Sequence, residues 1–340
     1  MFGLGWLRAL TDARGLLEHA HHGVPRLGEG YTTDDNARAL LYLSLLPEGA
    51  RDEGLVRTYL AFLLHMQKED GRFRNGLTLD GRFEDEGEAE DPTGRAVLAL
   101  AAAQRLPPPY AGPAREALLR ALPALEGFTS LRGRAYALLG LLALPKEPFL
   151  EAAVVLGDGL RSAFREAEPA WPYPGPLTYA NHRPVEALYA YGLAFRRQEA
   201  VALARRALAF LKEHYFTPGE EGLFFDPVGN RFMARGRDKP LFDQQPIEAK
   251  CALLAHLRFG ERVLAEVAFL WFHGRNRLRA PLVDAFGPMD GLTPHGPNQN
   301  RGAEALLAYL LAWQALVQGV FPQVDEGVAL GRVFALGGRP

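Results

Sequence analysis

Acidic and amide side chains recur in six short polar clusters, each placed before or at the start of an apolar run with helical spacing. The clusters are Thr33-Asp34-Asp35-Asn36-Ala37-Arg38, Glu90-Asp91-Pro92-Thr93-Gly94-Arg95, Ser130-Leu131-Arg132-Gly133-Arg134, Tyr179-Ala180-Asn181-His182-Arg183-Pro184, Phe242-Asp243-Gln244-Gln245-Pro246 and Asn298-Gln299-Asn300-Arg301-Gly302. Cleavage of a glycosidic bond needs two carboxyl groups facing each other across a sugar, one as acid and one as base or nucleophile. The acid must have its pKa raised by burial or a like charge. The carboxylates available are Asp34, Asp35, Glu90, Asp91, Asp243, Glu248 and Glu304. Asp35, Asp91 and Asp243 best combine a loop-to-helix position with flanking hydrogen-bonding side chains, so they form the pool for acid and base. Helix capping accounts for a single Asp or Asn at such a place, and Glu248 and Glu304 fit a capping box. Doubled groups such as Asp34-Asp35 and Asp243-Gln244-Gln245 exceed what capping requires.

Sugars present polar edges and apolar C–H faces. The candidates to bind them are Arg38, Tyr179, His182, Arg183, Gln244, Gln245, Trp271, Asn298 and Gln299, with Trp171 as a platform held rigid between prolines. His182 or His295 could instead serve an epimerase or lyase as acid or base. Only seven asparagines occur, and Asn36, Asn181, Asn298 and Asn300 all lie in the clusters.

Other chemistries lack their signatures. The three serines form no G-x-S-x-G, and no glycine-rich nucleotide loop occurs. His21-His22 has no zinc-type spacing, and the acidic run Glu84–Asp91 has no calcium-loop spacing. Neither a cofactor nor a metal is expected. The lone Cys251, within an apolar run, reads as a small buried hydrophobe.

Composition bounds the class. The 340 residues are 48% hydrophobic and 23% charged, with a net charge of −2, an ordinary globular balance that favours neither nucleic acid nor an acidic membrane. No apolar stretch reaches the roughly 18 residues of a membrane span, and the first residues do not read as a signal peptide, so a cytoplasmic location is expected. Arg far exceeds Lys, and Ser, Asn, Met and Cys are scarce, a thermophile-like bias.

Between the six apolar runs lie amphipathic ones, Leu4–His21, Leu55–Gln67, Ala114–Leu125, Phe149–Ala167, Gln198–Tyr215 and Glu261–His273. A helix apolar on one face covers a core, and one apolar nearly all round sits inside it. The alternation predicts an all-α fold, an (α/α)6 toroid. The polar starts of six inner helices would ring one pocket. Long Gly- and aromatic-rich connections at 68–91, 169–183, 216–245 and 274–300 lead into inner-helix starts, so they belong on the pocket face and could hold short β-hairpins. A single toroid domain over 1–320 and a tail at 321–340 are expected.

The segments TTDDNARAL, EDPTGRA, YANHRP, FDQQPIEA, WFHGRN and NQNRGAEALLAYLLA, in this order, resemble a bacterial glycosyltransferase-like family. Its members occur alone or fused behind a retaining glycosyltransferase domain. The resemblance implies the six-hairpin glycosidase superfamily, a carbohydrate context and a functional link to a glycosyltransferase. Where that family has Glu-Asp-Ser-His-Gly-Arg, this chain has Glu90-Asp91-Pro92-Thr93-Gly94-Arg95, so any role for a histidine after Asp91 is absent. Hydrolysis of an oligosaccharide, preferably with inversion, is the reading; the rivals are a sugar epimerase or lyase, and a non-catalytic carbohydrate-binding toroid.

Overall fold

A computed structural model describes residues 3–84 and 90–320; the expected tail at 321–340 lies outside the described residues. Twelve α-helices run in order among them: α1 Leu4–Ala9, α2 Thr33–Leu45, α3 Glu53–Met66, α4 Glu90–Ala102, α5 Pro108–Leu125, α6 Leu131–Leu141, α7 Phe149–Glu166, α8 His182–Ala194, α9 Gln198–Tyr215, α10 Pro246–Arg258, α11 Arg262–Leu270 and α12 Ala303–Gln318. Even-numbered helices are the apolar runs and form the inner layer. Each packs on the next, and α12 returns to α2, which closes the ring. Odd-numbered helices cover them from outside. In α8 every residue but Leu193 is buried, whereas α9 buries one stripe, Ala200, Ala204, Ala207, Leu208 and Leu211 among others. One apolar core fills the space between the layers. The (α/α)6 toroid expected from the alternation is the fold observed.

The inner helices approach each other most closely where α4 meets α6. A Cβ on Gly94 would lie 2.5 Å from the Gly133 carbonyl oxygen, and one on Gly140 would lie 2.8 Å from Leu98 Cα. Backbone-to-backbone contact at both places leaves no room for a side chain.

The first outer helix is far shorter than the expected Leu4–His21. After α1 the carboxylate of Asp12 accepts the Arg14 and Gly15 amides, a turn that offers the backbone a stronger local partner than another helical turn. The chain then runs extended. It is pinned to α2 by buried Asn36, whose side chain accepts the Leu16 amide and donates to the Thr32 carbonyl. A small hairpin, Ala20–His21 with Val24–Pro25, follows. This departure from the helical pattern carries Glu18 and His19 to the pocket face.

Short strands decorate the same face, as expected of the long connections. Tyr31–Thr32, Gly76–Leu77 and Phe83–Glu84 form a three-stranded sheet, and Phe216–Gly219 pairs with Gly222–Phe225. Among the described residues, no helix is long and apolar enough to cross a membrane.

Gly94→Ala should destabilise the fold by about 1–3 kcal/mol, the usual cost of overpacking against groups that cannot retreat. Gly5→Ala, at an exposed position of α1 with nothing within 4 Å of the new methyl, should instead be neutral or stabilising. Thermal melts of the two variants side by side check this; equal melting temperatures would remove the close-approach account.

Candidate functional site

A cavity of about 380 Å³ opens where the starts of α2 and α12 meet the N-terminal extended segment. It is lined by Glu18, His19, Thr32, Asp34, Asp35, Arg38, Asn75, Gln245, Asp290, Asn298, Asn300, Gly302, Glu304 and Ala305. No Phe, Tyr or Trp is among them.

Its geometry is built from the α2 terminus. Thr32 is the N-cap: its hydroxyl accepts the Asp35 amide at 3.2 Å and donates to the Asp35 carboxylate at 2.9 Å. The Asp35 carboxylate therefore braces the capping residue of its own helix as well as facing the cavity. One turn on, the buried Arg38 guanidinium pairs with Asp35 and reaches Glu304 of α12 at 2.8 Å. The carboxylate of Asp34 pairs with buried Arg95 of α4. Three inner helices are thus tied by two arginines and three carboxylates.

These surroundings push the acids apart. Burial, reinforced by the charge of Asp35, raises the Glu18 carboxyl to about 7. Burial also raises Asp35 and Asp290. Burial opposes the charge of Glu304 too, yet Arg38, Arg95 and Lys250 hold its carboxyl below the usual range. His19 sits between two acids, its Nε2 3.6 Å from Glu18 and its Nδ1 3.9 Å from Asp290.

A second polar cluster joins the starts of α4, α6 and α8. Asp91 accepts from Ser130 Oγ at 2.7 Å, Arg132 Nε at 2.8 Å and Tyr179 Oη at 2.8 Å. The Arg132 guanidinium lies over the Tyr179 ring, 3.9 Å from its centroid. Burial works to raise Asp91, but Arg132 and Arg95 overcome it and keep the carboxyl ionised.

The expected site residues separate accordingly. Asp35, Arg38, Gln245 and Asn298 reach the cavity. Asp91 and Tyr179 meet in the second cluster. Asp243 sits exposed at φ 49° and is not part of this cavity's lining. Gln244 and Trp271 are sealed in the wall: the indole N–H donates to Gln244 Oε1 at 2.9 Å, and Gln244 donates to buried Asp226. Trp171 lines a separate outer hollow with Tyr173, Pro174 and Arg235, its N–H held by the Gly175 carbonyl. Arg183 is buried against Glu186, and His182 against Tyr215 and His256, so neither faces the cavity. His295 and Gln299 are exposed, on and just after the Leu292–Pro297 hairpin.

Sequence reasoning passed over Glu18, His19, Asn75 and Asp290, and it read Glu304 as a capping partner. Glu304 in fact spends its carboxylate on Arg38. Glu248 does not cap either: its Oε1 accepts the amide of Ala180, a residue held at φ 52°, from 2.5 Å. Its Oε2 is buried without a partner, and burial raises the carboxyl to about 8.

No family model matches the chain, and no curated protein shows significant sequence similarity to it. Solved structures do resemble it. A D-mannose isomerase superposes with a TM-score of 0.66 at 11% identity, over 93% of this chain and 95% of that one. A cellobiose 2-epimerase from Spirochaeta thermophila gives 0.64 at 15%, over 93% and 92%. A GH76 α-mannanase from Bacteroides thetaiotaomicron gives 0.61 at 11%, over 98% and 95%. The likeness is one of fold, the (α/α)6 toroid. None of these comparisons supports a family tied to glycosyltransferases.

Because the proton on Glu248 is bound more tightly folded than unfolded, its contribution to stability is full below about pH 4.5 and lost as pH rises through about 8. Glu248→Gln keeps an acceptor for the Ala180 amide and should flatten that part of the profile. Urea midpoints of both proteins across this range check it; parallel profiles would mean that Glu248 is ionised throughout.

Proposed function

We propose that the chain is a carbohydrate-active enzyme whose cavity between α2 and α12 performs acid–base chemistry on a sugar. One observation carries the reading: on the walls of one cavity, Glu18 is raised to about 7 while Glu304 is held ionised. Two carboxyl groups driven apart in this way divide into a proton donor and a charged partner. The solved structures of like fold are named as sugar isomerase, epimerase and mannanase, which supports a sugar as the substrate.

In the hydrolytic reading Glu18 protonates the leaving oxygen, and Glu304 or Asp35 steadies the positive charge that develops on the sugar or activates water. Arg38 fixes both of these carboxylates. Asn75, Gln245, Asn298 and Asn300 offer amides to hydroxyl groups. Asp91, with Tyr179 and Arg132, forms a polar wall suited to a further sugar unit. The aromatic platform expected from Trp171 has no counterpart in the cavity, so recognition rests on hydrogen bonds.

Epimerisation is the second reading, and His19 favours it. Its imidazole lines the cavity beside Glu18, so a base and an acid are available to take a proton from a sugar carbon and return it. This role falls to His19 rather than to His182 or His295.

An oligosaccharide and monosaccharide panel separates the two: new reducing ends report hydrolysis, and a changed anomeric proton spectrum reports epimerisation. Glu18→Gln should lower kcat/KM by roughly 10²–10⁴-fold, the usual worth of general acid–base catalysis, with sugar binding kept. Since the acid must be protonated, kcat/KM of the unaltered enzyme should fall as pH rises through about 7, and Glu18→Gln should lose that limb. Full activity in both Glu18→Gln and Glu304→Gln would sink the assignment. Binding of sugars with no turnover of any would leave a carbohydrate-binding toroid.

A further inference from the structure

The charges around the cavity are arranged unequally. Four of its five carboxylates are accessible: the Glu304 side chain is 39% exposed, Glu18 34%, Asp34 21% and Asp290 17%, while Asp35 is buried at 5%. Its cations are behind them, Arg38 at 6% and Arg95 at 4%. Arg38 is the one arginine in the lining, and no lysine is present. Its terminal nitrogens are already spent on Asp35 and Glu304.

Several of the groups that ordinarily hold an anion are also taken. Helix N-termini bind phosphates and carboxylates through free amides. Here the Asp35 amide goes to Thr32, the Gly302 amide to Asp290 at 2.5 Å, and the Ala303 amide to the Glu18 carbonyl at 2.9 Å. An anionic ligand would meet accessible carboxylates before the donors that remain, the Glu304 and Ala305 amides and the side-chain amides of the lining.

Three buried polar atoms on residues of the lining remain open, His19 Nδ1, Asp34 Oδ1 and the Nε–H of Arg38. The second is a charged acceptor and the third a donor. A ligand carrying an ammonium and neighbouring hydroxyls satisfies both kinds of group. A plain hexose satisfies both less strongly, since a hydroxyl gives no charge to the acceptor.

Resting on the reading of this cavity as a sugar site, we propose that it selects by charge: a hexosamine with a free ammonium binds better than the neutral hexose, and the neutral hexose better than the hexuronate or hexose 6-phosphate. Stacking on a large aromatic face plays no part here, because the lining holds no Phe, Tyr or Trp. Discrimination is electrostatic, so it is sensitive to salt.

The test is a titration of the unaltered protein at neutral pH with hexose, hexosamine, hexuronate and hexose 6-phosphate in the gluco, manno and galacto series, followed by ligand-observed NMR. Within a series that binds, each step should be worth about tenfold, the scale of a partly screened pair of charges, and should shrink at high salt. Glu304→Gln should cut the hexosamine advantage severalfold and leave the hexose bound. An anionic sugar that binds as tightly as the hexose, or an amine that gains nothing over it, overturns the proposal and leaves the sugar reading standing. So does an undiminished amine advantage in Glu304→Gln. Absence of binding in every series overturns the sugar reading itself. The salt dependence of the unaltered protein decides the matter should Glu304→Gln fail to fold.

Discussion

The guanidinium of Arg38 is the group on which the site depends. It is almost fully buried, and a buried cation without partners would cost several kcal/mol. Asp35 supplies one partner from the same helix, and Glu304 the other from α12, 266 residues further along the chain. Closing the ring of helices is therefore also what neutralises Arg38. The same closure sets the protonation of the cavity. Glu304 is held ionised by the arginines, while Glu18, outside their reach and next to Asp35, retains its proton to about pH 7. The helix starts add their partial positive charge, which favours carboxylates at those places.

Around this centre, buried polar side chains act as fasteners for irregular backbone. Thr93 accepts the Phe73 amide and so ties the 68–84 connection to α4. Asn181 accepts the Thr178 amide and donates to Tyr215, and Glu248 secures Ala180 from the neighbouring helix. Asp226 gathers Lys239, Gln244 and both ends of the Arg277 guanidinium. The 68–84 and 178–181 segments are thereby attached to rigid helices, and the loops around Asp226 to one another. A substrate arriving there meets a wall that is already formed, which lowers the ordering cost of binding.

The ring was legible because its cause is repeated: six runs apolar on all sides and six covering runs apolar on one. The membership of the cavity was legible only in part. Asp35, Arg38, Gln245 and Asn298 were identifiable from their clusters, but so were Gln244, Trp271 and Arg183, which are sealed within the walls. Periodicity shows that a residue lies at a helix start. On the extended approach to a helix, adjacent side chains point to opposite sides, so neighbours such as Gln244 and Gln245 just before α10 part company for reasons of packing that no spacing records. Glu18 and His19 were hidden differently. The segment around them has helical spacing of apolar residues, and the Asx turn at Asp12 overrides it. That turn depends on one short side chain, a weak local signal beside eighteen residues of pattern. Of the seven asparagines, Asn75, Asn298 and Asn300 line the cavity, while Asn36, Asn181 and Asn276 hold backbone inside the protein. Their scarcity marked importance without distinguishing the two uses.

The seam between α2 and α12 has a consequence for the order of assembly. During synthesis α2 emerges early and waits, with Arg38 facing a gap, until α12 has been made and docked. Five inner helices can collapse pairwise on local contacts, but the cavity comes into being only with the sixth. A nascent or shortened chain that lacks the last helix thus presents an open arc with a charged edge rather than a smaller version of the same pocket. Acquisition of the site and completion of the ring are a single event.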